Sequence, residues 1–92
     1  VRIRCDVEIL YRNMRRFDHG RATILNLSAT GAYITNFSLS GKALPLKPFF
    51  IRIRFRNRDL AGWTILCEPV RISGENGRLG LGVRFVKYDV KV

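Results

Sequence analysis

Val1-Arg2-Ile3-Arg4-Cys5-Asp6-Val7-Glu8-Ile9-Leu10-Tyr11 places Val1, Ile3, Cys5, Val7, Ile9 and Tyr11 on one side of an extended chain and Arg2, Arg4, Asp6 and Glu8 on the other. Successive side chains of a strand point to opposite faces, so this alternation predicts a half-buried strand. The same two-residue period returns over 49–58, where Phe49, Ile51, Ile53 and Phe55 alternate with Phe50, Arg52, Arg54 and Arg56. One face of that second segment is core and the other is nearly all arginine.

Between and beyond these two segments the punctuation is regular. The polar run 12–20, ending Asp18-His19-Gly20, predicts a loop; 21–27 predicts a strand that stops at Asn26-Leu27-Ser28-Ala29-Thr30-Gly31, and 32–37 a third strand. Residues 38–48 contain two prolines, Gly41 and two lysines, which predicts a long connection. After a turn at 59–62, strands are expected at 63–72 and 79–85. They are joined through Ser73-Gly74-Glu75-Asn76-Gly77, a hairpin signal because Asn-Gly adopts positive φ at low cost. Pro69 inside the fifth strand predicts an edge or a bulge there. Six short strands at steady spacing, with no internal repeat and no 3.6-residue periodicity, predict an all-β antiparallel barrel or sandwich.

A chain of 92 residues has room for one domain, spanning 1–92. Folding at this length buries roughly 60–70% of the unfolded surface, which suits one compact core and leaves no room for a deep active-site cleft. With 47% hydrophobic residues the chain is expected to fold despite its charge. No apolar run approaches the roughly 18 residues of a membrane span and no signal-peptide pattern opens the chain, so a soluble protein is expected. The first residue is not Met, so a chain trimmed at its N-terminus is expected. Cys5 and Cys67 lie in apolar runs without metal-ligand spacing and are read as buried thiols rather than a disulfide.

The formal charge is +10, and thirteen of the seventeen basic residues are arginine. Arginine's planar fork suits phosphate and the Hoogsteen edge of guanine, so acidic ligands are favoured as a class. For any single arginine, solubility on a strand face is explanation enough. The stripe Arg52, Arg54, Arg56 suits nucleic acid, an acidic partner or anionic lipid, and equally deters edge pairing, the reading adopted for it. Trp63 is assigned to core or partner contact.

Catalysis has little to stand on. His19, the single histidine, neighbours Asp18, but catalytic partners must converge in space and adjacency in sequence does not supply that. The acidic residues are scattered, and no phosphate-binding loop or metal-ligand cluster is present in the sequence, so no catalytic residue and no metal ligand is assigned. A binding module is expected instead. Its most specific feature is Asn26-Leu27-Ser28-Ala29-Thr30-Gly31: Asn26 and Ser28 share one side at a strand end, and Gly31 lets a ligand or a neighbouring backbone come close. An ordinary turn, with Asn26 and Ser28 bonded to backbone groups, accounts for the same residues.

That stretch matches the (Asp/Asn)-x-Ser-x-x-Gly motif of the PilZ domain family, and Leu81-Gly82-Val83-Arg84-Phe85 resembles the closing strand of that family. The resemblance covers nearly the whole chain. It implies a six-stranded antiparallel β-barrel that binds cyclic di-GMP, a bacterial second messenger. It further implies that Asn26 and Ser28 hydrogen-bond a guanine and that Gly31 permits the tight path. The family's other half-site is an Arg-x-x-x-Arg pair before the first strand that clamps phosphates and guanine edges. Here Arg2 stands where the second arginine is expected and the first falls before residue 1, so Arg2 and Arg4 are expected to neutralise phosphate. The literal Arg-x-x-x-Arg at 12–16 would lie on the order of 25 Å from Asn26 along the paired strands and is read as a solvated basic loop. The C-terminal helix common in the family is not evident after Asp89, which suggests trimming there as well.

The function so implied is a receptor module in the bacterial cytoplasm that relays cyclic di-GMP to a protein partner or flanking domain, in motility or biofilm control. The alternative is a degenerate PilZ-like adaptor that binds protein partners and no nucleotide, motivated by the missing arginine. A basic barrel binding single-stranded nucleic acid in the manner of an OB fold is disfavoured.

Overall fold

The segments Ile3–Tyr11 and Phe49–Phe55 stand out in the sequence because apolar residues alternate along each, and they pair with each other. In the computed structural model, which describes residues 2–41, 44–56, 62–75 and 78–90, six strands form: β1 (Ile3–Tyr11), β2 (Arg16–Leu27), β3 (Gly31–Leu39), β4 (Phe49–Phe55), β5 (Trp63–Glu75) and β6 (Arg78–Val90). All neighbours are antiparallel, and the sheet closes in the order β1-β2-β3-β6-β5-β4. The expected all-β, six-stranded antiparallel barrel is therefore the fold, and closure rather than a two-sheet sandwich resolves the alternatives left by the strand pattern. Among the described residues no helix is long and apolar enough to cross a membrane.

The barrel interior is filled by the inward positions: Cys5, Val7 and Ile9 from β1, Ala22 and Ile24 from β2, Ile34 from β3, Ile51 and Ile53 from β4, Ile65 and Cys67 from β5, Leu81 and Val83 from β6. Phe49 and Phe55 close the two ends of β4's inward row. Removing each of the Val, Leu, Ile and Phe side chains from water contributes about 1.5–3 kcal/mol, so these residues are the fold's main source of stability. Both cysteines are free and buried, and burial pushes each thiol up to about 12. Tyr11, in register with Phe49, reaches the rim, where its ring meets Phe17 edge-on at 5.3 Å.

Several boundaries differ from expectation, each for a local reason. The run 12–20 is not a loop: β2 begins at Arg16, and only 12–15 turn. The turn is closed by Tyr11 N–H donating to the Arg15 carbonyl (2.9 Å) and Met14 N–H to the Tyr11 carbonyl (2.8 Å), with Met14 at φ 72°. A bulge follows, since Ile9 faces Asp18 while Leu10 faces Arg16, leaving Phe17 unpaired. Asp18 is the second source of error. It occupies an inward position and is buried, yet its carboxylate accepts N–H groups from His19 and Gly41, both at 2.7 Å. The Gly41 hydrogen bond is the main cause holding its carboxyl below the usual range; burial acts against it, and the His19 and Ser40 amides and the His19 ring act with it. His19 accordingly lies in a strand, opposite Glu8.

β3 extends to Leu39 through a bulge around Asn36 (φ 56°), and β6 runs on to Val90 paired with β5. Pro69 sits at a bulge, just past Cys67, the last β5 residue in register with β4. Asn76-Gly77 and most of the turn at 59–62 lie outside the described residues; Glu75 and Arg78 pair on either side of the former.

Candidate functional site

The turn between β2 and β3 is built by Ser28. Its N–H donates to the Gly31 carbonyl (2.9 Å), and its hydroxyl oxygen accepts N–H groups from Gly31 (3.2 Å) and Thr30 (3.4 Å). Ser28 therefore shapes the turn in the way an ordinary turn serine does. Asn26 differs. A bulge between Ile24 and Asn26 sets it opposite Tyr33 on the outer face of the barrel, where it is exposed and, among the described residues, makes no side-chain hydrogen bond. Gly31 is required by the fold: a Cβ there would overlap the Val83 carbonyl oxygen across the β3–β6 pair. Of the two roles its spacing offered, the close approach of neighbouring backbone is the one realised.

Asn26, Ser28 and Gly31 line one open groove of about 460 Å³, together with Tyr33 and, from the far side, Arg71 and Gly82. Leu27, Val70 and Val83 add apolar wall. The register explains the arrangement. Asn26 faces Tyr33, Tyr33 faces Gly82, and Gly82 faces Arg71, so a single row crosses β2, β3, β6 and β5. Tyr33 is drawn off this row, its hydroxyl hydrogen-bonded to Ser73 (2.8 Å) and its ring end lying over Gly80. The next outward row holds Gly31, Arg84 and Glu68, and there Glu68 takes both Arg84 (3.3 Å) and Arg12 (3.5 Å).

Arg2 and Arg4 do not line this groove. They border a separate depression with Ile3 and Arg56, and Arg4 also a smaller one with Arg21, Thr23 and Asn36. Arg4 faces Thr23, one strand over and three residues before Asn26. Arg12 lies over the Phe50 ring at 4.5 Å and Arg16 pairs with Glu8 at 3.0 Å, so the literal Arg-x-x-x-Arg is engaged elsewhere. Asn26, Ser28 and Gly31 thus line one groove, Arg2 and Arg4 lie outside it, and Arg71, which sequence reading passed over as one arginine of a strand, lines its far side.

The opposite outer face, over β2, β1 and β4, carries a charge ladder. Arg21, Asp6 and Arg54 share one row and His19, Glu8 and Arg52 the next. Glu8 bonds both Arg16 (3.0 Å) and Arg52 (3.3 Å), and Arg56 lies 3.8 Å from Asp6. β4 is paired on both sides through 51–54, so protection of a free edge does not explain its arginines. Among the described residues no three His, Cys, Asp or Glu side chains gather into a metal site. Compared with family models, with curated proteins and with solved structures, the chain finds no match in any of the three.

Proposed function

We propose that this barrel is a ligand-binding module, not an enzyme, and that its ligand is cyclic di-GMP, taken up in the manner of the PilZ domains its motifs resemble. The observation that carries the reading is the unbonded, exposed Asn26 on a groove it shares with Ser28 and Gly31. An amide presents two donors and an acceptor, the complement of a guanine edge. In this reading Asn26 hydrogen-bonds the base directly, Ser28 and Gly31 hold the turn in place, and Arg2 and Arg4 approach a phosphate from β1. Charge-assisted arginine–phosphate bonds supply much of the affinity. The module would work in the bacterial cytoplasm and relay the second messenger to a protein partner or flanking domain, in motility or biofilm control.

Calorimetric titration with cyclic di-GMP at physiological salt tests this, with GTP and cyclic di-AMP as controls for nonspecific attraction to a +10 surface. Saturable, selective binding that Asn26→Ala reduces at least tenfold supports it; equal binding of all three nucleotides sinks it. A second reading, a nucleotide-free adaptor for a protein partner, is favoured by the position of Arg2 and Arg4 outside the groove and by the exposure of Val70 (62%) on its wall. No binding of any nucleotide is the outcome it expects.

A further inference from the structure

The two glycines facing the groove differ in one respect. Gly31 is demanded by packing, whereas a Cβ on Gly82 would meet nothing closer than the Arg71 Cβ at 3.7 Å, an ordinary contact. The fold does not need glycine at 82. What glycine does there is leave the position between Tyr33 and Arg71 without a side chain, and because Tyr33 is drawn off towards Ser73 the row lies open from Asn26 to Arg71.

Arg71 is the second unexplained feature. It is exposed and, among the described residues, forms no ion pair or side-chain hydrogen bond, while Arg84, one row away, is held by Glu68. The bulge after Pro69 leaves Val70 as the extra residue and turns Arg71 onto the outer face opposite Gly82. Three strand spacings separate Asn26 from Arg71, about 14 Å, which is wide enough for a purine and the phosphate it carries and too wide for a lone inorganic phosphate to bridge. Leu27 and Val70 supply apolar cover for the face of a base.

We propose that Arg71 is the phosphate-binding cation of this groove and that Gly82 is its open floor, so that a guanine nucleotide held at Asn26 lies across Gly82 with its phosphate on Arg71. This rests on the cyclic di-GMP reading and assigns the groove a cation that neither Arg2 nor Arg4 provides there.

The experiment is titration of cyclic di-GMP into the wild type and into Asn26→Ala, Arg71→Ala, Arg71→Lys, Gly82→Val and the Arg2→Ala/Arg4→Ala pair, with a melting curve for each. Arg71→Ala is expected to weaken binding by about 10- to 100-fold, with Arg71→Lys recovering part of the loss because it keeps the charge and loses the fork. Gly82→Val is expected to block binding while melting at or above the wild-type temperature, since a β-branched residue suits an open strand position. The Arg2→Ala/Arg4→Ala pair should cost less than Arg71→Ala alone. If Asn26→Ala abolishes binding while Arg71→Ala and Gly82→Val bind as the wild type does, the role given to Arg71 and Gly82 is overturned and the receptor reading stands. If the wild type binds no cyclic di-GMP, the receptor reading itself is overturned, and Arg71 with it.

Discussion

The two outer faces of the barrel use arginine in opposite ways. Over β2, β1 and β4 the arginines are numerous and compete for two carboxylates: Arg16 and Arg52 share Glu8 and Arg56 lies 3.8 Å from Asp6, while Arg21 and Arg54 stand in register with Asp6 without an ion pair among the described residues. Over β2, β3, β6 and β5 there are fewer charges, yet among the described residues Arg71 and Asn26 form no ion pair or side-chain hydrogen bond, Gly82 between them has no side chain, and Tyr33 is drawn off towards Ser73. Partially exposed ion pairs of the first kind contribute little to stability and offer little unspent hydrogen-bonding capacity. Unsatisfied groups facing an open floor are where a ligand gains most, because the groups need not first leave another partner. In the proposed reading the recognition chemistry sits where the charge density is lower, and the +10 charge is a poor guide to it.

The contrast between the glycines gives the largest expected effect. Gly31→Ala drives a methyl into the Val83 carbonyl, and neither strand can yield without breaking the β3–β6 ladder. We expect a loss of about 3 kcal/mol and a melting temperature lower by about 15 °C. A Gly31→Ala chain that melts within a few degrees of the wild type would show that the groove glycines are interchangeable.

How much of this was legible in the sequence depends on which interactions are local. β1 and β4 were plain because every inward residue is apolar, and Asn26, Ser28 and Gly31 were visible because one short turn contains them all. The start of β2 was hidden by a polar residue on an inward position, Asp18, and by the unpaired Phe17, which together break the two-residue period. Arg71 was hidden for a different reason. Its place opposite Gly82, and Gly82's opposite Tyr33, depend on register across four strands with bulges at two of them, and a one-residue shift would turn Arg71 to the other face. No local pattern encodes that.

Asp18 gives the next effect, and its sign follows from its depressed carboxyl. A group held below its unfolded value adds stability at pH above about 4, and that contribution is lost as pH falls through the folded value. Asp18→Asn should therefore lower the melting temperature by several degrees at pH 7, release the segment at Ser40 and Gly41, and flatten the acid limb of a melting temperature profile between pH 6 and 2. An unchanged acid limb would mean that other carboxylates set the acid stability.

The hairpin that leads into the charge ladder carries its own strain at Met14, a non-glycine residue at φ 72°. Relief of the left-handed conformation outweighs the added freedom of glycine in the unfolded chain, so Met14→Gly should stabilise by about 0.5–1 kcal/mol. Chemical denaturation would register this as a higher midpoint with an unchanged slope. A lower midpoint would mean that the half-exposed Met14 side chain contributes more by packing than its backbone costs.

Glu8→Gln is the smallest in stability and the most direct test of the difference between the faces. Glu8 accepts from Arg16 through one oxygen and from Arg52 through the other. Removing its charge should cost less than about 1 kcal/mol, because both arginines remain solvated. The consequence for binding is larger in kind: two guanidinium groups become free on a face already bearing Arg21, Arg54 and Arg56. Affinity for a single-stranded oligonucleotide should rise. The dependence of log affinity on log salt should steepen by up to about 1.4, since each added phosphate contact on a single strand contributes about 0.7. In the proposed reading, cyclic di-GMP binding in the groove should not change. A wild-type chain that already binds oligonucleotides with a steep salt dependence, unaltered by Glu8→Gln, would mean that the carboxylates do not restrain the arginines, and that the ladder, rather than the groove, is the barrel's principal anion-binding face.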